Sequence, residues 1–248
     1  MQIDAIFPDW PAPAHVRALM TTRAGGASSA PYDGFNVGDH VGDNPDTVAN
    51  NRALLASATD ARPRWLKQVH GVEVVEAETS TDGAIADAAV SRTPKLACAV
   101  MTADCLPVLL TTSNGDVVAA AHAGWRGLCD GVLESTVKAM GVSADQVIAW
   151  LGAAIGPAAF EVGDDVRSAF VGRDPDIASA FRSGSKEGKW MADLYAIARS
   201  RLSRVGVRSI YGGGLCTYSE PERFYSYRRD GATGRMVAMI WLAEATRG

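Results

Sequence analysis

A chain of 248 residues with 47% hydrophobic and 21% charged side chains can build one sizeable core under a soluble surface. Its formal net charge of −4 offers no electrostatic attraction to nucleic acid or to an anionic membrane. Four cysteines with no CxxC spacing exclude a dense disulfide framework and indicate a reduced, cytoplasmic protein.

Residues 1–8 lack the basic and then apolar regions of a secretory signal. No apolar run approaches the roughly 20 residues of a membrane span. Residues 16–22 predict a first strand, which runs into the glycine-rich segment Arg23-Ala24-Gly25-Gly26-Ala27-Ser28. Asn44 as N-cap and Pro45 as first helical residue open a helix to about residue 59. Strands are expected over 65–70, 72–75, 96–102, 108–112 and 117–122, and a helix over 128–140 that Gly141 ends. A short strand at 147–151 leads into Gly152-Ala153-Ala154-Ile155-Gly156-Pro157. The polar stretch 172–189 reads as a loop or short helix. Residues 191–205 read as a helix with Leu194, Ile197, Ala198, Leu202 and Val205 on one face. Strands at 209–211 and 236–242 close the chain. No linker or repeat divides it, so one domain over 1–248 is expected. Hairpin-joined strands favour a mixed-sheet α+β fold over a doubly wound parallel sheet.

The chemistry concentrates around Thr102-Ala103-Asp104-Cys105-Leu106-Pro107 and His122-Ala123-Gly124-Trp125-Arg126-Gly127. The turn signal Ser113-Asn114-Gly115-Asp116 predicts that the flanking strands pair, which brings Cys105 and His122 together at their far ends. His70, followed by Gly71, stands at another expected strand end. His70, Cys105 and His122 suit Zn²⁺ as a three-ligand site with one open position. Cys105 and His122 equally suit a nucleophile with its base, and all three residues suit plain structural roles. Asp104 is a candidate to orient a ring N–H or accept a proton. Arg126 is a candidate to bind phosphate or carboxylate, or to pair with Asp130.

These words resemble a known family. Besides the two segments above, Phe224-Tyr225-Ser226-Tyr227-Arg228-Arg229, Thr21-Thr22-Arg23 with Gly25-Gly26, Phe35-Asn36-Val37-Gly38, Val41-Gly42-Asp43, Asn51-Arg52 and Gln68-Val69-His70-Gly71 match it in order. The family is the peptidoglycan editing factor group, long labelled multicopper polyphenol oxidoreductase or laccase, which includes purine nucleoside phosphorylases. The resemblance implies a layered α/β/β/α fold and a zinc site made by His70, Cys105 and His122. It also implies phosphorolysis of adenosine, inosine, guanosine and methylthioadenosine, adenosine deamination, and a link to keeping L-Ser out of the peptidoglycan stem peptide. The chain departs from the family around Gly152-Ala153 and Ala158-Ala159, and has Phe160 where a Tyr is usual; none of these is a candidate ligand.

Four histidines cannot supply the about ten that coupled type-1 and trinuclear copper sites need, so copper here would be adventitious. The H-x-E…P-C-x-x-C pattern of zinc nucleobase deaminases is absent. For a phosphorylase, Arg23, Arg126, Arg228 and Arg229 are candidate anion ligands, Tyr227 a candidate purine contact, and Asn36 with Asn51-Arg52 candidate cleft residues. The partners expected are a purine nucleoside and phosphate, with a peptidoglycan precursor as a further candidate, on a monomer. Two other functions remain open at this point: a metal-free Cys105–His122 amidohydrolase acting on a peptidoglycan precursor, and a zinc-stabilised protein that binds a nucleotide or precursor without turnover.

Overall fold

A computed structural model describes residues 3–244; residues 1–2 and 245–248 of the expected domain lie outside the described residues. The strands Leu96–Thr102, Leu106–Thr112, Val118–Ala123 and Met236–Leu242 are buried along their whole length. Strands apolar at both alternating positions need cover on both faces. The chain meets that need with two stacked sheets between outer helices.

One sheet has five strands in the order Ala5–Ile6, Val16–Thr21, Met236–Leu242, Leu96–Thr102, Arg62–Arg64. The other has six, in the order Ser209–Gly212, Val147–Leu151, Leu106–Thr112, Val118–Ala123, Ala88–Ser91, Val74–Glu76. Each sheet mixes parallel and antiparallel pairs. Between them, Met20, Cys98, Val100, Ala238 and Ile240 of the first sheet meet Ala89, Leu109, Val118, Ala120 and Trp150 of the second. The alternate residues face outward. Leu19, Ala99, Val237 and Met239 pack with Leu55 of the Pro45–Thr59 helix. Val108, Leu110, Ala119 and Ala149 pack under Leu133, Val137, Ile197 and Leu202 of the helices on the opposite side. The expected α/β/β/α layering and mixed sheets are what the chain forms.

Several boundaries differ from expectation. The helix expected over 128–140 is two, Trp125–Asp130 and Val132–Ala139, because Gly131 takes φ 106° between them. The 65–70 strand shrinks to Leu66–Lys67, and His70 adopts φ 61° in the turn that follows. The polar 172–189 stretch holds a 3₁₀ helix at Pro175–Ala180, capped by the Asp174 carboxylate, and a strand at Phe181–Ser183. That strand pairs with Lys189–Ala192, so the last long helix starts only at Leu194, where Asp193 caps it. The Asn44 cap and Pro45 start are as expected, with the Asn44 side chain accepting from the Asp46 and Thr47 N–H groups. No helix among the described residues is long and apolar enough to cross a membrane.

Candidate metal centre

Leu96–Thr102 belongs to the five-stranded sheet and Leu106–Thr112 to the six-stranded one, so residues 103–105 carry the chain from one layer to the other. Asp104, at φ 88°, makes that step, and Cys105 stands at its end. The hairpin pairs as its turn signal indicates: His122 lies opposite Pro107 and Ala123 opposite Leu106. Cys105 and His122 therefore meet at the same end of the sheet. His70 reaches them from the loop after Leu66–Lys67, with its Nε2 at 3.8 Å from Cys105 Sγ. The His70 and His122 rings pack edge to face with centroids 4.8 Å apart.

Two glycines permit this convergence. A Cβ on Gly124 would stand 2.7 Å from His70 Cδ2 and 3.1 Å from Cys105 Sγ. A Cβ on Gly127 would stand 2.6 Å from the Gly71 carbonyl oxygen. The start of the Trp125–Asp130 helix can thus press directly against the His70 loop.

A carboxylate that sequence reasoning missed organises the cluster. Asp87 is fully buried and accepts from His122 Nδ1 at 2.8 Å. It also accepts from the backbone N–H groups of Val69, His70 and Gly71 at 3.1, 2.9 and 2.7 Å. One side chain thereby fixes both the His122 ring and the His70 loop. Burial opposes ionisation of Asp87, but the His122 bond and the Gly71 N–H outweigh it and hold its pKa below the ordinary value. Burial also pushes the Cys105 thiol up; the charge and hydrogen bond of His122, with a bond from His70, overcome this and bring it down to about 6. Burial disfavours the His122 cation, yet the Cys105 charge and the Asp87 bond raise its pKa to about 9. Thiolate and imidazolium sustain one another in the metal-free pair.

The donor set fits a metal ion. Two imidazole nitrogens and one sulfur lie within 4.8 Å of one another, and this is the sole such His/Cys/acid group identified among the described residues. With Nδ1 of His122 bound to Asp87, its Nε2 is the nitrogen left for a metal, the usual carboxylate–histidine arrangement of metal sites. A low thiol pKa keeps the sulfur in its ligating form.

The cluster floors a pocket of about 300 Å³ whose walls include His40, Gln68, Thr102, Ile155, Phe160, Tyr227, Arg228 and Arg235. Of the residues expected at the site, His70, Asp104, Cys105, His122, Tyr227 and Arg228 line it. Asp104 faces away from the imidazoles: it accepts from the Thr217 hydroxyl at 2.6 Å and the Arg228 N–H at 2.7 Å, which fixes the Tyr227–Asp230 helix. Arg126 does not line the pocket; its guanidinium lies 4.5 Å from the Trp125 ring centre, and Asp130 pairs with Arg173. Arg23 lines a separate depression and pairs with Asp33 at 2.9 Å. Asn36 is buried, bonding Asp43 and the Gly38 and Arg235 N–H groups, so it shapes the wall behind the pocket. Arg229 is occupied by the Thr217 and Phe224 carbonyls and by Asp230.

His40 and Arg235 were not anticipated. The usable signal for Asp87 was a lone acid beside the apolar run Ala88-Ala89-Val90, and for Arg235 a lone cation entering Met236–Leu242. A larger cleft of about 930 Å³ beside Trp10 and Trp241 holds Asp60, Lys95 and Glu244, which pair among themselves.

The family model described as multi-copper polyphenol oxidoreductase laccase matches residues 17–243. The chain belongs to that family. It is 54% identical over 239 residues to a purine nucleoside phosphorylase of Pseudomonas aeruginosa, covering 96% of this chain and 98% of the relative. It is 52% identical to purine nucleoside phosphorylase YfiH of Escherichia coli, with the same coverage of each. A crystal structure of a Neisseria meningitidis protein superimposes with TM-score 0.95 at 51% identity, covering 97% of this chain and all of that one. Bacillus licheniformis hypothetical protein YfiH superimposes with TM-score 0.83 at 30% identity, covering 92% of each chain. Members of this laccase-labelled family are thus named as phosphorylases, and the copper-type metal site its label implies has a counterpart here in the His70, Cys105 and His122 cluster.

Proposed function

We propose that the chain is a zinc-dependent purine nucleoside phosphorylase acting in the pocket over His70, Cys105 and His122. The observation that carries this reading is a soft, Asp87-braced donor triad beneath a pocket of about 300 Å³ lined by Phe160, Tyr227, Arg228 and Arg235. The names borne by its relatives agree with it.

His70, Cys105 and His122 would hold the metal, and a bound zinc ion supplies Lewis-acid stabilisation for charge developing on the departing base. In the reaction a phosphate oxygen bonds to C1′ of the ribose as the C1′–N9 bond breaks. The bonding pair leaves with the purine, and the phosphate proton ends on the base, so the products are ribose 1-phosphate and free purine. The 63% exposed Tyr227 offers a flat face for the base, while the Phe160 ring in the same pocket has the Arg228 guanidinium 5.4 Å from its centre. Asp104 holds the Tyr227–Asp230 helix against the pocket.

Adenosine, inosine, guanosine and methylthioadenosine are the substrates proposed. Adenosine deamination at the same site would exchange the C6 amino group for the oxygen of water and release ammonia. The chain is taken as a cytoplasmic monomer with one catalytic domain, contributing to peptidoglycan stem-peptide fidelity.

A second reading has one specific observation behind it. Cys105 near 6, His122 near 9 and Asp87 behind it also form the chain of a cysteine hydrolase. The position of His70 favours the metal reading, because a nucleophile–base pair has no use for a second imidazole 3.8 Å from its sulfur.

The test is to incubate metal-analysed protein with adenosine, with and without phosphate, and separate the products, beside Cys105→Ala. Phosphate-dependent adenine release, about one zinc per chain, and loss of both in the variant are expected. An acyl adduct on Cys105 in metal-free protein, without nucleoside turnover in the zinc-loaded form, would establish the hydrolase instead.

A further inference from the structure

Several other candidate arginines are spent on carboxylates: Arg23 on Asp33, Arg52 on Asp39 and Arg229 on Asp230. Arg228 and Arg235 are not paired with a carboxylate among the described residues, and both line the pocket. Arg235 is the better prepared of the two. Its backbone N–H donates to Asn36 Oδ1 at 2.8 Å, and its Nη1 donates to the Thr233 and Gly234 carbonyls at 2.9 and 3.0 Å. Its stem packs against Gly38, where an added Cβ would stand 2.7 Å from Arg235 Cγ. The guanidinium is therefore held from both ends, and its Nε and Nη2 carry no hydrogen bond to the described residues. Burial lowers the Arg235 pKa, the sign of a cation partly stripped of water, and the Cys105 and Asp104 charges offset this only in part.

The rest of that wall is consistent with an anion site. Arg228 adds a second guanidinium, anchored by the Glu161 carbonyl at 2.9 Å. His40 adds a pocket-lining imidazole whose Nδ1 lies 3.5 Å from the exposed Asp39 carboxylate. Thr102 Oγ1 is buried in the same wall with no hydrogen-bond partner. Asp104, the pocket's carboxylate, has one oxygen on Thr217 and the other on the Arg228 N–H.

We propose that Arg235, with Arg228 and His40 beside it, takes the inorganic phosphate co-substrate, in place of the Arg23 and Arg126 sites that the sequence suggested. The site rests on the phosphorylase reading for its ligand. A tetrahedral oxyanion there meets the free edge of a fixed guanidinium fork, the geometry in which arginine surpasses lysine. Arg235 thus sets the phosphate requirement and leaves the nucleoside to the rest of the pocket.

The experiment compares the metal-loaded parent with Arg235→Met, Arg235→Lys and Arg126→Ala. Inorganic phosphate binding is titrated by calorimetry without nucleoside, and KM for phosphate and for nucleoside are measured separately. Arg235→Met should weaken phosphate binding and raise its KM at least about tenfold, with Arg235→Lys in between and nucleoside KM within about twofold. Arg126→Ala should match the parent. Parent-like phosphate binding in Arg235→Met, or a loss in Arg126→Ala instead, overturns the proposal. If Arg235→Met does not fold, Arg235→Lys decides, because it keeps the charge and loses the fork. A parent that binds phosphate through Arg235 but shows no phosphorolysis would sink the phosphorylase reading and leave the anion site standing.

Discussion

Two buried aspartates flank the candidate metal centre, and they serve different walls. Asp87 gathers His122 and the three N–H groups of the 69–71 loop, so it braces the metal-binding floor. Asp104, next to Cys105 in the chain, turns its oxygens to Thr217 and the Arg228 N–H and braces the pocket wall that carries Tyr227 and Arg228. The difference shows that the metal floor and the pocket wall are supported separately, each by its own carboxylate. Sequence adjacency to a ligand does not say which one a carboxylate supports.

Removing Asp87 should break the comparison most severely. Asp87→Ala strands a buried imidazolium and three N–H groups, and we expect a loss of about 3–5 kcal/mol in chemical denaturation. Asp87→Asn, which keeps the shape, should weaken zinc binding about 10–100-fold in a chelator competition. A zinc affinity equal to the parent's would show that the floor does not depend on Asp87.

Asp104→Asn should act on the other wall. We expect about 1–3 kcal/mol of lost stability and a raised phosphate KM, with zinc content unchanged by elemental analysis. Loss of zinc in this variant would merge the two supports into one.

Gly124→Ala isolates the floor geometrically, since its methyl would press on His70 and Cys105. Zinc affinity should fall while the far-ultraviolet circular dichroism spectrum stays as in the parent.

Alkylation sharpens the floor electrostatically. Because the thiolate is the reacting form, the iodoacetamide rate of metal-free protein at Cys105 should rise through an inflection near pH 6, well below an ordinary thiol. Asp87→Asn should move that inflection upward by weakening the His122 cation, and zinc should protect the sulfur. Cys98, fully buried with its pKa pushed well up, should stay unreactive in the folded protein. The smallest effect belongs to a residue remote from both walls: Asn44→Ala should cost about 1 kcal/mol of thermal stability and leave turnover alone.

The sequence by itself determined the parts governed by local rules. Apolar runs with a turn signal between them specified the hairpin, and its pairing placed Cys105 beside His122. Asn44 and Pro45 specified a helix start, and the unbroken burial of Met236–Leu242 was legible as a run of apolar residues. Words such as His122-Ala123-Gly124-Trp125-Arg126-Gly127 carried the family and with it the layered fold.

What only the tertiary structure decided depends on register and on crossings between layers. Ala88 pairs with Ala121, which sets Asp87 beside His122 although 35 residues separate them in the chain. Arg235 reaches the pocket because Met236–Leu242 lies beside Leu96–Thr102, whose end begins the crossing to Cys105. Arg126 falls outside the pocket lining although its helix starts against the metal cluster at Gly124, and its guanidinium lies over the Trp125 ring instead. A local pattern specifies which face a side chain occupies; it does not specify which distant strand supplies its neighbour, and here the neighbours support the candidate metal centre and the pocket wall.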